Sequence, residues 1–159
     1  MLVGSYNPNY QPGEAVDRGN QLPVYVMGDP FGPFQPGFPP AVIDAMQGQG
    51  FSGAAKFVPG PAGQAPPYSV FMIFDPPPAL SPQQVCARPD LVTTLPPDPQ
   101  GRLPLLAVLC GGNRYLSAAS GTVAASTGPA DPEFRRGIGG FSRELFPLTN
   151  PENFPDFGL

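Results

Sequence analysis

The sequence predicts an α+β fold, a mostly antiparallel sheet of four to five strands with two amphipathic helices packed on one face. Three observations lead there. Tyr68–Phe74 is an almost unbroken apolar run of strand length. Leu103–Cys110 and Tyr115–Ala125 are two strand-like runs joined by Gly111-Gly112-Asn113-Arg114. Two further segments open on proline and carry apolar residues at helical spacing. Helices laid on one face of a sheet bury both apolar surfaces with short connections.

Residues 1–21 hold Asn7-Pro8, Pro12-Gly13 and Gly19-Asn20, all turn signals, and read as a flexible N-terminal arm. Leu22–Met27 gives the first strand, with Leu22, Val24 and Val26 on one face and Tyr25 and Met27 on the other. Pro39-Pro40 suits the first turn of a helix, where backbone N–H groups lack partners anyway. Phe38, Val42, Ala45 and Met46 then form a short apolar stripe, and Gly48 or Gly50 ends it. Lys56–Val58 reads as an edge strand, and the stretch from Pro59 to Pro67 as an extended excursion.

Tyr68–Phe74 is apolar at six of its seven positions, which implies burial on both faces and a central place in the sheet. Pro76-Pro77-Pro78 terminates it. Ser81-Pro82-Gln83-Gln84 has capping-box spacing and predicts one or two helical turns carrying Cys86. The Gly-Gly-Asn-Arg link after Cys110 predicts a hairpin, because glycine and asparagine tolerate the positive φ of a tight turn. The last helix has Asp131 as cap, Pro132 at its first position and Glu133 against the dipole. Its apolar stripe is Phe134, Ile138, Phe141 and Leu145, and Pro147 stops it. The chain thus reads as one α+β domain over 22–147 between the arm and an extended tail, 148–159.

Composition narrows the function. Proline (26) and glycine (20) are abundant in a chain of 159 residues, yet 12 Phe and 5 Tyr are enough for one core. The net charge is −4, with a single lysine, so the basic footprint that nucleic-acid binding requires is missing. No apolar run approaches the ~20 residues that cross a bilayer. Met1 is followed at once by polar, glycine-containing sequence, unlike a secretory leader. Leu2-Val3-Gly4-Ser5 is nevertheless similar to the end of a bacterial lipoprotein signal, with Ser5 where the lipidated cysteine would stand.

The chain has no histidine, which excludes His-based nucleophilic schemes and most zinc and iron sites. Cys86 and Cys110 lack CxxC spacing. In an oxidising compartment they would close a loop of about 25 residues, worth roughly 3 kcal/mol; in the cytosol they would be two buried thiols. The disulfide is the favoured expectation. Gly48-Gln49-Gly50-Phe51-Ser52-Gly53 matches G-x-G-x-x-G, with Asp75 ending a strand further on. A dinucleotide site needs those glycines between a strand and a helix, whereas here a helix precedes them and prolines follow. Asp29, Asp44, Asp75 and Asp98 offer carboxylates, but mostly at turns where aspartate bonds its own backbone. A small ligand-binding domain or a carboxylate-based enzyme using Asp29, Asp75 or the Gly48–Gly53 loop is therefore the alternative. The P-x-x-P matches that start at Pro33, Pro36 and Pro96 read as stiff loops.

The order of elements from Leu22 to Pro147 resembles small uncharacterised lipoproteins of Gram-negative envelopes. Gly28-Asp29-Pro30-Phe31-Gly32, Ala45-Met46-Gln47-Gly48 and Glu144-Leu145-Phe146-Pro147 are similar to segments of uncharacterised alphaproteobacterial proteins. The resemblance implies an envelope or periplasmic location and carries no catalytic residue; the missing lipidated cysteine departs from it. The expectation is a non-enzymatic envelope domain, with no cofactor or metal, that binds a protein partner or serves a structural role. Phe31, Phe34, Phe154 and Phe157 are the candidate contact residues, and Cys86 and Cys110 the candidate disulfide.

Overall fold

A computed structural model describes residues 2–10, 21–32, 35–48, 56–63, 66–97, 102–124 and 128–147. Six strands form one sheet: β1 (Val3–Tyr6), β2 (Gln21–Met27), β3 (Lys56–Pro59), β4 (Tyr68–Phe74), β5 (Leu103–Gly111) and β6 (Arg114–Val123). Three helices pack on it: α1 (Phe38–Met46), α2 (Pro82–Ala87) and α3 (Pro132–Leu145), with a 3-10 turn at Pro89–Leu91. The spatial order is β1-β6-β5-β4-β2-β3. The architecture is α+β with a mixed sheet, larger than the four to five strands expected.

Two differences from the sequence reading have clear physical origins. First, β2 is parallel to both β3 and β4, while β1–β6, β6–β5 and β5–β4 are antiparallel. Strand, helix, strand over β2-α1-β3 is a crossover unit, and a helix between neighbouring strands makes them parallel. Second, residues 2–10 enter the fold. Val3–Tyr6 pairs with Ser117–Ser120 at the sheet edge, and Tyr10 is wholly buried. The segment has no alternating apolar pattern, because what holds it is long-range. Tyr6 Oη donates to the Glu144 carbonyl at 2.7 Å and to Glu144 Oε1 at 2.9 Å, both on the last turn of α3.

The remaining elements follow local chemistry. Asp131 Oδ1 accepts the Glu133 N–H at 2.9 Å and starts α3. Ser81 and Gln84 complete a reciprocal capping box at the start of α2. The β5–β6 hairpin turns on Gly112, at φ +62°. A register shift at Leu109/Cys110 makes a bulge on β6, so that Leu116 joins the main core while its neighbour Ser117 reaches the end of α3. β4 lies inside the sheet between β5 and β2.

The sheet separates two apolar clusters. One face carries α1 and α3, whose Phe38, Val42, Met46, Phe134, Ile138 and Leu145 meet Leu22, Val24, Val70, Met72, Leu105 and Leu109. An aromatic group of Phe31, Phe38, Phe74 and Phe134, centroids 5.1–6.2 Å apart, fills its middle. The other face holds a smaller cluster: Phe71, Ile73, Val85, Cys86, Leu106, Val108, Cys110 and Ala118. Among the described residues, α2 is the α-helix on this face.

Candidate functional site

The second face is where the fold leaves room. A helix of six residues is only about 9 Å long, and about 10 Å wide with its side chains. Strands are spaced about 4.8 Å apart, so such a helix roofs roughly two of them. α2 lies over β5 and β6, and a hollow remains on each side. One, of about 380 Å³, runs beside β1 and the Pro76–Pro78 turn. The other is a groove of about 820 Å³ over β2 and β4.

The groove is built from three pieces. Its floor is Tyr25 and Met27 from β2 with Ser69 and Phe71 from β4. Tyr25 and Phe71 are register partners in the parallel pair, and their rings stack at 5.1 Å and 18°. One wall comes from the connection between β3 and β4. Because these strands run the same way, the chain must travel back across β2, and it crosses on the Tyr25 face. Gly60 N–H donates to Val24 O at 2.9 Å, and Tyr25 Oη donates to Pro61 O at 2.9 Å. A Cβ at residue 60 would collide with the Tyr25 ring, so glycine is required for this crossing. Pro61, Pro66 and Pro67 then stiffen the wall. The opposite wall is the end of α2 and the turn after it, Cys86, Ala87, Pro89 and Asp90.

Cys86 and Cys110 form a disulfide with Cα atoms 5.6 Å apart, tying α2 to β5. Non-covalent contacts hold the helix as well. Val85 is buried in the second cluster. The Gln83 side chain clamps the hairpin, donating to Asn113 O and accepting from Tyr115 N–H, each at 3.1 Å.

Apart from Ser69 in the floor, the polar side chains lie at the margins. Arg88 and Asp90 make a two-point exposed pair (2.8 and 3.1 Å), which holds the Asp90 carboxyl below the usual range and raises the Arg88 guanidinium. Burial raises the Tyr25 phenol. Apolar surface continues outward past α2. Ala87 lines the groove and also a hollow with Leu80, Leu91 and Val92. Leu91 is 64% exposed and Leu95 48%.

The residues singled out in the sequence are distributed otherwise. Phe31 lies on the far side of the sheet, half-buried and edge-on to Phe38 and Phe134. Phe34, Phe154 and Phe157 lie outside the described residues, as do Asp98 and positions 49–53 of the glycine-rich loop. Gly48 follows the end of α1 at φ +71°, at a helix C-terminus and so away from the helix start a phosphate would use. Asp29 and Asp75 follow the C-terminal ends of the parallel neighbours β2 and β4. Asp29 is exposed, whereas Asp75 is buried at φ +54°. The Asp75 backbone joins two segments: its N–H donates to Pro104 O, and its carbonyl accepts from Leu95 N–H. Among the described residues no group of three or more metal-ligating acids or cysteines occurs, and no helix is long and apolar enough to cross a membrane.

The groove residues were absent from the sequence-level candidates because Tyr25, Met27 and Phe71 look like core. The usable signal was the brevity of α2 between Pro82 and Pro89 beside a sheet with two apolar faces. Comparison of the chain with protein-family models, curated proteins and solved structures returns no match.

Proposed function

We propose that this chain is a non-enzymatic domain of the cell envelope or periplasm that binds a partner protein through the α2 face of its sheet. One observation carries the choice of a protein partner. The apolar surface does not end at the groove but runs through Ala87 to exposed Leu91. A small ligand would fill the groove and leave Leu91 in water, whereas a protein surface bearing leucine-sized side chains covers both groove and leucine. The disulfide is compatible with an oxidising compartment, and the resemblance to small envelope lipoproteins supports the same location.

A second reading, a small apolar ligand, is favoured by the groove's size, which falls within the range of ligand cavities. Site-specific photocrosslinking in native cells decides. A benzophenone side chain at Leu91 or Ala87 is expected to give one common adduct, and the same group at Arg136, exposed on α3, none. No adduct at Leu91 and Ala87, or equal adducts at all three positions, refutes the protein-binding reading. A ligand present at 100 times its dissociation constant would instead add about 2.7 kcal/mol of stability in a thermal-shift screen.

A further inference from the structure

We infer that the Cys86–Cys110 bond is a local lock on the α2 wall of the groove, and that a dithiol reductant entering by the groove opens that wall while the rest of the domain stays folded. The inference deepens the proposed binding role by giving the same face a redox control.

Position within the fold carries it. Both cysteines belong to the smaller cluster and neither to the main core under α1 and α3. Cys110 is in β5, held on both sides by β4 and β6, so the strand remains in place without the bond. α2 has no such support. Six residues are far too few for a helix to persist alone. Without the bond, α2 is held by Val85 and the exposed Gln83 clamp. Four groove-lining residues, Cys86, Ala87, Pro89 and Asp90, belong to this segment. Loss of the tie therefore acts on the binding face first, as a local opening.

Access is asymmetric in a way that fits. Cys86 lines the groove at 5% exposure, whereas Cys110 is 1% exposed and does not line it. A thiolate of the incoming dithiol attacks Cys86 Sγ, the S–S bond breaks, and Cys110 Sγ leaves as thiolate with the electron pair. The second thiol, as thiolate, attacks the mixed disulfide and releases Cys86 thiolate. The reductant ends as a disulfide, two electrons have passed to the protein, and both protein thiolates take up protons from water.

Hydrogen–deuterium exchange on the full chain, oxidised and then reduced with dithiothreitol, tests this without any partner. Reduction is expected to speed exchange at Val85–Arg88 by at least on the order of tenfold, while Val70–Ile73 in β4 stays within about twofold. Unchanged exchange in α2 overturns the inference, and so does joint loss of protection in α2 and β4, which would make the bond a staple of the whole domain. Brief treatment with glutathione should place the mixed disulfide on Cys86; a mixed disulfide on Cys110 overturns the proposed route. The variant C86A/C110A repeats the exchange test with no reductant, and reduced wild-type protein suffices should that variant not fold. Failure of the Leu91 crosslink would refute the binding role while leaving the exchange result to judge the lock.

Discussion

Replacing Ser117 by alanine tests how the last turn of α3 is held to the sheet. The final carbonyls of a helix have no partner within it, and in this domain the end of α3 is buried against β1 and β6. Arg143 O is satisfied by the Phe146 N–H, and Glu144 O by Tyr6 Oη. Leu145 O accepts from Ser117 Oγ at 2.7 Å and, at 3.5 Å, from Tyr10 Oη. Ser117 is fully buried, so water cannot take its place. An acceptor stripped of its partner in the interior costs about 1–3 kcal/mol, and the longer Tyr10 contact recovers part of that. The expected loss for Ser117→Ala is about 1.5–2 kcal/mol, or about 5 °C in Tm for a domain of this size. Urea denaturation of the oxidised protein should show a lower midpoint with an unchanged m-value. Ser120→Ala, on the exposed side of β6, is the control and should shift stability by less than about 0.5 kcal/mol. The double variant Ser117→Ala/Tyr10→Phe should lose more than the sum of its parts, because only then does Leu145 O lose both donors. A Ser117→Ala midpoint indistinguishable from that of Ser120→Ala would refute this account of the α3 terminus.

The same junction gives stability a pH dependence. Burial, the hydrogen bond to Glu144 and the charge of that carboxylate all raise the Tyr6 phenol above its ordinary value near 10. A phenol whose folded pKa is raised contributes fully below pH 10, and the contribution is lost as pH climbs further. Urea midpoints should thus fall above about pH 10, and Tyr6→Phe, which costs about 1 kcal/mol at neutral pH, should flatten that fall; equal alkaline slopes in the two proteins would exclude Tyr6 as the cause. Gly28→Ala should be costly for a different reason. Residue 28 sits at φ +100°, and a Cβ there would lie 2.6 Å from the Phe74 carbonyl oxygen, so calorimetry should show a loss of about 2 kcal/mol or more. A change below about 0.5 kcal/mol would mean that the β2–β4 ends are not packed as described.

Where the sequence was legible, the signal was local. Asp131-Pro132 and Ser81-Pro82-Gln83-Gln84 are caps whose partners lie two or three residues away, and the Gly-Gly-Asn turn needs only its own backbone geometry. The continuous apolar run of β4 announced its interior place, because a strand covered on both faces cannot alternate. What escaped was set by distant partners. β1 has the unpatterned sequence Val-Gly-Ser-Tyr and is fixed by Glu144, 138 residues from Tyr6. The parallel β2–β3 pair follows from the strand, helix, strand order, but the expectation of a mostly antiparallel sheet does not say which strands depart from it.

Strand direction bears directly on the site. With β3 and β4 antiparallel, the connection would pass round one end of β2, and no chain would cross its face. Because they run the same way, the chain after Pro59 must return over the face opposite α1, and Pro61, Pro66 and Pro67 make one wall of the groove. The other wall needs a helix narrow enough to leave β2 and β4 uncovered, which the short span between Pro82 and Pro89 ensures. The groove is thus a product of strand direction and helix length together, and neither can be read from the groove residues themselves. Tyr25 and Phe71 carry the apolar character of a core because the floor of such a site is the unroofed part of a core. On this view the same six-residue helix that leaves the floor open is also too short to hold its own wall, and a covalent tie to β5 is what makes an open face of this kind compatible with a defined shape.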